Sequence, residues 1–201
     1  MKLRDVVKLS ATMLSLDDIL NASKIYDATF DITKEYNVVT EGNVKTEEEK
    51  LIELLVRCFN LVYSELASDY IPLVVCENIA VLKGSFNLTG LDNKFYKLIK
   101  LVDNFGLEVK CEIFDNVLYA KNGEYKIIYC YKPEFATLNS DLNDFNGKIT
   151  NRVFALGLCK EYCYICGQYE ESKDYKQKFE DSLISCEKNK KNIVMPKRRW
   201  I

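Results

Sequence analysis

The stretch TEEEKLIELLVRCFNLVYSELASDY, residues 46–70, decides the class of fold, because its apolar residues repeat with a helical period. Thr46 can cap the first turn, and Glu49 can reach back to it as the partner of a capping box. The acidic residues 47–49 suit the positive end of the helix dipole, and Pro72 ends the pattern. The apolar stripe comprises Leu51, Leu55, Cys58, Val62 and Leu66, and it is widened by Ile52, Val56, Phe59 and Tyr63. We therefore predict a long helix that is covered on more than one side.

The residues before this helix carry weaker signals. Val6, Leu9 and Met13 have helical spacing and predict a short amphipathic helix. A second helical turn is predicted near Ser15, which can form a capping box with Asp18. Residues 24–45 alternate irregularly and include a glycine, so they are predicted to be a loop or a short strand.

After Pro72 the apolar period changes to two, which is typical of strands. LEVKCEIF (107–114) alternates apolar and charged residues and predicts a half-buried strand, and EYKIIYCYK (124–132) predicts another. Asn122-Gly123, between VLYA and EYKIIYCYK, favours a hairpin because both residues tolerate positive φ. Together with KLIKLV (97–102) and VLKGSF (81–86), these segments predict a small antiparallel β-meander.

The C-terminal third returns to helical spacing. KITNRVFALGLCKEYCYICG (148–167) predicts a helix that ends at Gly167, and YEESKDYKQKFEDSLISCEKN (169–189) predicts a second. The second helix aligns on one side Ser172, Tyr175, Phe179, Leu183 and Cys186. The order of helices, strands and helices predicts an α+β fold, with one domain over residues 1–187 and an extended arm over 188–201.

Composition narrows the class of protein. The 201 residues are 48% hydrophobic, which fits one globular domain with a core. Residues 2–20 mix charges into their apolar positions, so we expect neither a signal peptide nor a membrane span, and we expect a cytosolic protein. Most of the eight cysteines lie within apolar runs and are predicted to be reduced core residues. Histidine is absent, which removes the commonest general base and zinc ligand.

Cys159, Cys163 and Cys166 have the C-x3-C-x2-C spacing with which radical S-adenosylmethionine enzymes hold an iron–sulfur cluster. On a helix these positions share one stripe with Ala155, Tyr162 and Tyr169, and they spread over about 10 Å, too far for three ligands of one cluster. Only 35 residues follow Cys166, which leaves no room for the barrel of those enzymes. A zinc site that adds Cys186 is an alternative. We predict core packing, with no metal, no cofactor and no enzymatic activity.

The last fourteen residues, KNKKNIVMPKRRWI (188–201), carry six of the 28 Lys and Arg and none of the 30 acidic residues. The net charge is −2 for the whole chain, so residues 1–187 carry −8. The segment also holds apolar residues that a solvated tail does not need, namely Ile193, Val194, Met195, Trp200 and Ile201. Arg and Trp often anchor interfaces, so we predict an arm that becomes ordered on docking. A protein partner is favoured over nucleic acid, because the acidic body repels phosphates.

The whole pattern resembles the head-to-tail connector proteins of tailed bacteriophages, also called adaptors or head-completion proteins, including the tail-tubular type. The resemblance covers nearly the full length. It rests on the short first helix, on LLVRCFNLVYSELASDYIPL (54–73) running into a meander, on the helix pair within 152–183, and on the closing Arg-Arg-Trp.

The resemblance implies a homo-oligomeric ring, commonly dodecameric, between the portal protein and a tail or further neck protein. DNA would pass through its lumen without specific binding. The protein would then be a virion component of the neck, assembled in the bacterial host cytoplasm, with no membrane contact. By position and character the portal-docking arm would comprise Met195, Pro196, Lys197, Arg198, Arg199, Trp200 and Ile201.

An acidic lumen would let duplex DNA slide, since like charges prevent phosphate contacts. Ring closure needs two different patches on each copy, which the outer strand of the meander and a helical face could supply. Two other functions remain as alternatives: a cysteine-liganded metalloprotein with zinc or an iron–sulfur cluster, and a small nucleic-acid-binding accessory protein.

Overall fold

The computed structural model describes residues 2–21, 25, 27, 46–142, 145 and 149–188. Of the segment 24–45, predicted to be a loop or short strand, all but residues 25 and 27 lies outside the described residues. The arm is outside them as well from residue 189 onward.

Along the chain, helices precede and follow two antiparallel sheets, which confirms the predicted α+β class. The helices are α1 (Leu3–Met13), α2 (Asp17–Asn21), α3 (Glu47–Glu65), α4 (Asn151–Ile165) and α5 (Tyr169–Lys188). The strands are β1 (Leu73–Val81), β2 (Ser85–Asn87), β3 (Phe95–Val102), β4 (Glu112–Phe114), β5 (Val117–Tyr119) and β6 (Gly123–Tyr131). A π-helical turn (Leu66–Tyr70) follows α3, and a 3-10 turn (Leu88–Gly90) follows β2.

The chain divides into two compact units. The helical unit comprises Met1–Val62 and Ala136–Ile201, and the β unit comprises Tyr63–Phe135. The prediction of a single domain over 1–187 with an arm over 188–201 stays a prediction.

The N-terminal helix α1 buries Leu3, Val6 and Val7. It ends because Ser15 adopts a left-handed conformation with φ of 53°, while the backbone N–H of Leu16 donates to the carbonyl of Ala11. The predicted capping box of Ser15 and Asp18 is therefore wrong: Ser15 terminates α1, and α2 begins two residues later at Asp17.

The capping box of α3 is confirmed. The Thr46 backbone N–H donates to Glu49 Oε2 at 2.7 Å, and the Glu49 N–H donates to Thr46 Oγ1 at 3.3 Å. The predicted stripe is buried at Leu55, Cys58 and Val62. The sequence pattern therefore predicts both the first turn of this helix and its core face correctly.

Helices α4 and α5 form a hairpin with a tight turn. Gly167 has φ of +78°, and the Gln168 N–H donates to the Cys163 carbonyl at 2.8 Å, so Gly167 ends α4 as predicted. A second glycine permits close packing: a Cβ on Gly157 would lie 2.5 Å from Val62 Cγ1 and 2.9 Å from Phe179 Cε2. The predicted inner side of α5 is confirmed, with these residues buried or half-buried: Ser172, Tyr175, Phe179, Leu183 and Cys186.

The β unit holds two three-stranded antiparallel sheets, with orders β1-β6-β3 and β2-β5-β4. The strands are antiparallel as predicted, but the order differs from that of a meander, because the last strand, β6, lies between β1 and β3. Long-range pairing of this kind leaves no local signal in the sequence.

The predicted hairpin at Asn122-Gly123 is wrong. The strands on either side of it belong to different sheets, and Gly123 pairs with Val81. Tight turns with two positive φ angles occur instead at Lys83-Gly84, between β1 and β2, and at Asp115-Asn116, between β4 and β5. The Asn122 side chain instead supports the first of these turns, because its Oδ1 accepts a hydrogen bond of 2.6 Å from the Gly84 N–H.

The predicted strand at 107–114 is shorter than expected. Only Glu112–Phe114 forms a strand, and Leu107 and Ile113 on the predicted inner face are exposed. The Asp103 carboxylate accepts hydrogen bonds from the N–H groups of Phe105 and Leu107, each at 2.9 Å, so local side-chain bonding favours a turn there.

One apolar core holds the β unit together. Its buried members are Ile79, Val81, Leu88, Leu101, Leu118, Tyr125, Ile127 and Tyr129. They come from β1, β3, β5 and β6, and one lies in the 3-10 turn, so both sheets contribute to this core. Each strand of the β1-β6-β3 sheet therefore turns one face inward and leaves the other outward.

Candidate interaction surfaces

The predicted docking arm, Met195–Ile201, lies outside the described residues, as do the six residues between it and α5. The last described residue, Lys188, ends α5. The structure therefore supplies the starting point of the arm and the surfaces of both units.

The three cysteines of the C-x3-C-x2-C motif differ in burial: two are buried and one is exposed. Cys159 and Cys163 are 0% and 1% exposed inside the helical unit, which confirms core packing for both. Cys166, at the C-terminal cap of α4, is exposed, and so is Tyr169, so the predicted core stripe is wrong at its C-terminal end. The reason is that α4 ends at Ile165, so the 3.6-residue period does not continue through the turn.

The buried thiols have low reactivity. Burial, with smaller contributions from Glu161 and neighbouring thiols, raises the pKa of Cys58 from 9.0 to about 12. Burial and then Cys163 raise the pKa of Cys159 to about 12. Cys159 Sγ also lies 3.8 Å from the carbonyl of Ser10, to which it donates. These thiols stay protonated at neutral pH, whereas the nucleophilic form of cysteine is the thiolate.

The eight cysteines are all free thiols. Their assignment to the core is wrong for Cys76 and Cys166, which are exposed, and it is right for Cys58, Cys130, Cys159 and Cys163. Within the described residues, no three His, Cys, Asp or Glu side chains are grouped so as to hold a metal ion.

The Tyr129 hydroxyl is the centre of a polar network in the β unit, and it donates to Glu77 Oε1. Glu77 Oε2 accepts from the Asp92 N–H at 3.1 Å, and Tyr129 also donates to the Asn93 carbonyl at 3.3 Å. Burial and the Glu77 hydrogen bond raise the pKa of Tyr129. The network fixes residues 92–93 against β1 and β6, and this role is structural.

An open groove of about 540 Å³ lies beside β3, where the chain leaves the edge of that strand after Val109. Aliphatic side chains alternate along it with lysines and glutamates. Its lining comprises Leu98, Ile99, Lys100, Leu101, Glu108, Val109, Lys110, Cys111, Glu112 and Tyr119. The lining is suited to a protein side chain or an extended segment, since it pairs apolar area with charges of both signs.

We use the term sheet face for a set of exposed residues on the outward side of the β1-β6-β3 sheet: Val74, Cys76, Tyr96, Lys97, Ile99, Lys100 and Lys126. Cys130 and Val102 lie on the same side but are buried. The register aligns Cys76 with Ile128 and Ile128 with Lys100, so a cysteine and a lysine lie two strands apart on one row. Tyr96 and Ile99 are the extra residues at two register shifts in β3, and they are 42% and 47% exposed.

The sheet face is basic. Lys97, Lys100 and Lys126 are exposed, and within the described part of the chain none of the three has a carboxylate at ion-pair distance. The ammonium of Lys132 lies 5.1 Å from the centroid of the Tyr96 ring. Glu124 is the acidic residue on this side of β6. Cations therefore outnumber acids on this surface, although the chain is acidic.

We use the term helix tip for the exposed end of the α4–α5 hairpin, formed by Tyr164, Ile165, Tyr169, Glu170 and Glu171. The first three are between 50% and 61% exposed. The rings of Tyr164 and Tyr169 meet edge to face with centroids 5.7 Å apart, which fixes them as one aromatic knob. Glu170 pairs with Lys173 at 2.8 Å, whereas Glu171 is exposed and has no ion pair among the described side chains.

The residues of these two surfaces do not follow from the sequence. The alternation in β1 and β6 shows that each strand has two faces, but it does not show which face another layer covers. At the helix tip the sequence does carry a signal: Tyr164, Ile165 and Tyr169 cluster around Gly167, where a chain that turns back has little apolar surface to cover them.

In the described part of the chain no helix is both long and apolar enough to cross a membrane. A scan against known protein families and a search of curated proteins found no match to this chain.

Proposed function

We propose that this protein is a non-enzymatic structural subunit of a tailed-bacteriophage neck, which assembles into a ring between portal and tail and lets DNA pass through the lumen. The observation that carries the proposal is the presence of two unlike exposed surfaces on one chain, the sheet face and the helix tip. A ring requires a heterologous interface, in which one patch meets a different patch on the next copy. A chain with two complementary patches meets that requirement.

The charge distribution supports a conduit for DNA. Residues 1–187 carry a net charge of −8, while the six cations of residues 188–201 are confined to the end of the chain. A ring with a mostly acidic body repels the phosphate backbone and lets the duplex slide.

Docking on the portal is assigned to the arm Met195–Ile201. Its combination of cations with Met195, Trp200 and Ile201 fits an interface anchor better than a solvated end. Six residues, 189–194, separate the arm from Lys188 at the end of α5.

The test is the mass of the purified full-length chain, measured alone and with portal protein, together with negative-stain images. We expect closed rings of one chain and a complex of ring and portal. A protein that stays monomeric at every concentration, both alone and with portal, contradicts the proposal.

The arm is tested by deleting residues 195–201. We expect the shortened chain to fold and to form the ring, because the deleted residues follow α5, and we expect it to lose portal binding. A matched control keeps the length and charge but replaces Trp200 with Ala, which separates the apolar anchor from the cations. If the deletion leaves portal binding unchanged, the assigned arm is wrong.

The two alternative functions have distinct outcomes in the same preparation. Stoichiometric zinc or iron in anaerobically purified protein supports the cysteine-liganded metalloprotein. Salt-dependent DNA binding that disappears with residues 195–201 supports the nucleic-acid-binding accessory protein.

A further inference from the structure

The sheet face combines exposed apolar residues with unpaired lysines. Val74, Tyr96 and Ile99 are between 42% and 54% exposed, and they lie among Lys97 and Lys100 on the same side of the sheet. Exposed apolar area that is concentrated in one place on a folded chain marks an interaction site. Because the cations have no carboxylate partner in the described part of their own chain, the complementary surface is acidic.

The helix tip has the complementary composition. Tyr164, Ile165 and Tyr169 supply aromatic and aliphatic area, and Glu170 and Glu171 follow in the first turn of α5. The Schellman turn at Gly167 and the contact between the two tyrosine rings hold the knob in one shape. A rigid aromatic group loses little conformational entropy on binding, so it is suited to be an anchor.

We infer that the helix tip of one copy binds the sheet face of a second copy, with Glu171 placed near Lys97 and Lys100. This inference rests on the proposed function, since it names the two patches that would close the ring. Both patches are exposed within a single copy, so each is open to another chain. Since the patches differ, the contact is heterologous, and a contact of this kind propagates from copy to copy.

Aliphatic residues on the sheet face favour a protein over nucleic acid as the occupant. Surfaces that bind single strands stack bases on aromatic rings, whereas Val74 and Ile99 offer no stacking plane. The ring of Tyr96, with Lys132 over it, is the one aromatic group of the sheet face.

The chain carries its own probes for this contact. Cys76 and Cys166 are the two exposed members of its eight cysteines, and they lie on the sheet face and beside the helix tip. Cys76 shares a row with Lys100, and neighbouring strands lie about 4.8 Å apart, so the thiol is about 10 Å from that lysine. A short bismaleimide can therefore join the thiols of two copies when the tip sits on the face.

The first experiment mixes two full-length variants, Cys76→Ser and Cys166→Ser, and treats them with the bismaleimide. We expect a cross-linked dimer in the mixture and at least tenfold less of it in either variant alone, since only the mixture holds the thiol pair. Equal cross-linking in all three samples overturns the inference, because the bond would then come from other cysteines.

The second experiment reverses charges and follows assembly by mass photometry at low salt. Lys100→Glu and Glu171→Lys should each weaken association at least tenfold, and combining the two reversals in one chain should restore it to within about threefold. Restoration distinguishes a direct contact from loss of fold. If each reversal leaves assembly unchanged, the inference is overturned.

Different results would contradict the inferred pairing of surfaces and the proposed function. If the unmodified chain forms rings but gives no Cys76–Cys166 bond, the pairing of surfaces is wrong and the ring remains. If it forms no oligomer alone or with portal, both are wrong. If labelled duplex DNA binds the unmodified chain and Lys100→Glu abolishes that binding without affecting assembly, the sheet face belongs to nucleic acid.

Discussion

The helical unit and the β unit differ in how many of their large apolar side chains are exposed. Among the described residues sixteen large apolar side chains are exposed, and eleven of them belong to the β unit, which is the smaller of the two. Phe105 and Phe114 are 90% and 75% exposed in the β unit, whereas Phe59 and Phe154 are fully buried in the helical unit. The same residue type thus stabilises one unit and is presented to the outside by the other.

The difference indicates that the helical unit contributes mainly to stability and the β unit mainly to contacts with other molecules. Helices satisfy their own backbone hydrogen bonds, and the helical unit buries one side of α1 and of α5 and all seven residues from Val153 to Cys159 in α4. The β unit has two small sheets around one core, and the side of the β1-β6-β3 sheet that faces away from this core carries exposed apolar residues, among them Val74 and Ile99. Substitutions in the helical unit should therefore change stability most, and those on the β surface should change assembly most.

The largest effect is expected for Phe154→Ala. Phe154 is 0% exposed, and its ring centroid lies 5.4 Å from that of Phe59 and 5.9 Å from that of Phe145. We expect a loss of about 3–5 kcal/mol in the free energy of unfolding, measured with urea. The matched control is Phe105→Ala, with a change within about 0.5 kcal/mol. Similar losses for both would refute the contrast between the units.

Alkaline pH should weaken the helical unit through its thiols. The pKa of Cys159 is 9.0 in an unfolded chain and about 12 in the fold, so the folded state holds its proton more tightly. A raised pKa gives stability that is complete below pH 9 and is lost as the pH rises towards 12, at most about 1.4 kcal/mol per pH unit for one thiol. Unfolding free energies at pH 8, 9.5 and 11 measure the slope, and Cys159→Ala should make it shallower. An unchanged slope in that variant contradicts the assignment.

Much of the helical unit follows from local patterns, whereas the sheets do not. The capping box of Thr46 and Glu49, the stop at Gly167 and the inner side of α5 each depend on residues within a few positions of one another. The pairing of β6 with β1 joins Tyr131 to Leu73 across 58 residues, and no window of sequence contains both strands. Asp115-Asn116 was a turn signal of the same kind as Asn122-Gly123, and only pairing decides which of them joins two strands.

The interaction surfaces depend less on local sequence than the helices and strands do. Composition singles out Met195–Ile201 because cations and Trp200 cluster there, and that prediction stays open. Composition does not single out the sheet face in the same way. The bulges at Tyr96 and Ile99 interrupt the alternation in β3, so lysines and apolar residues do not follow a regular pattern there. Exposure depends on which layers meet, and the fold alone provides that information.

Cys163 and Cys166, one buried in α4 and one exposed at its end, provide a smaller test of the contrast between buried and exposed positions. Cys163→Ser buries a hydroxyl in place of a thiol and should cost about 1–3 kcal/mol of unfolding free energy without changing metal content. Cys166→Ser, on the exposed cap three residues later, should change it by less than about 0.5 kcal/mol. Equal losses for both would indicate that Cys166 is covered in solution, and loss of bound metal in either variant would revive the metalloprotein.

The smallest effects should have opposite signs in the two units. Gly167 has φ of +78° with open space around it, so Gly167→Ala meets no atom but strains the backbone, at a cost of about 1 kcal/mol. Gly90 lacks a positive φ, and a Cβ there would lie 3.8 Å from Phe86 Cζ, an ordinary contact. Gly90→Ala restricts the unfolded chain without strain and should therefore stabilise the protein by about 0.5 kcal/mol.

Thermal unfolding of the two variants beside the parent resolves the difference, because backbone conformation, and not space, is the property in which the two glycines differ most. A loss at Gly90 as large as that at Gly167 would show that the β unit depends on that turn for its packing, and it would weaken the contrast in which the helical unit is the more sensitive of the two to substitution.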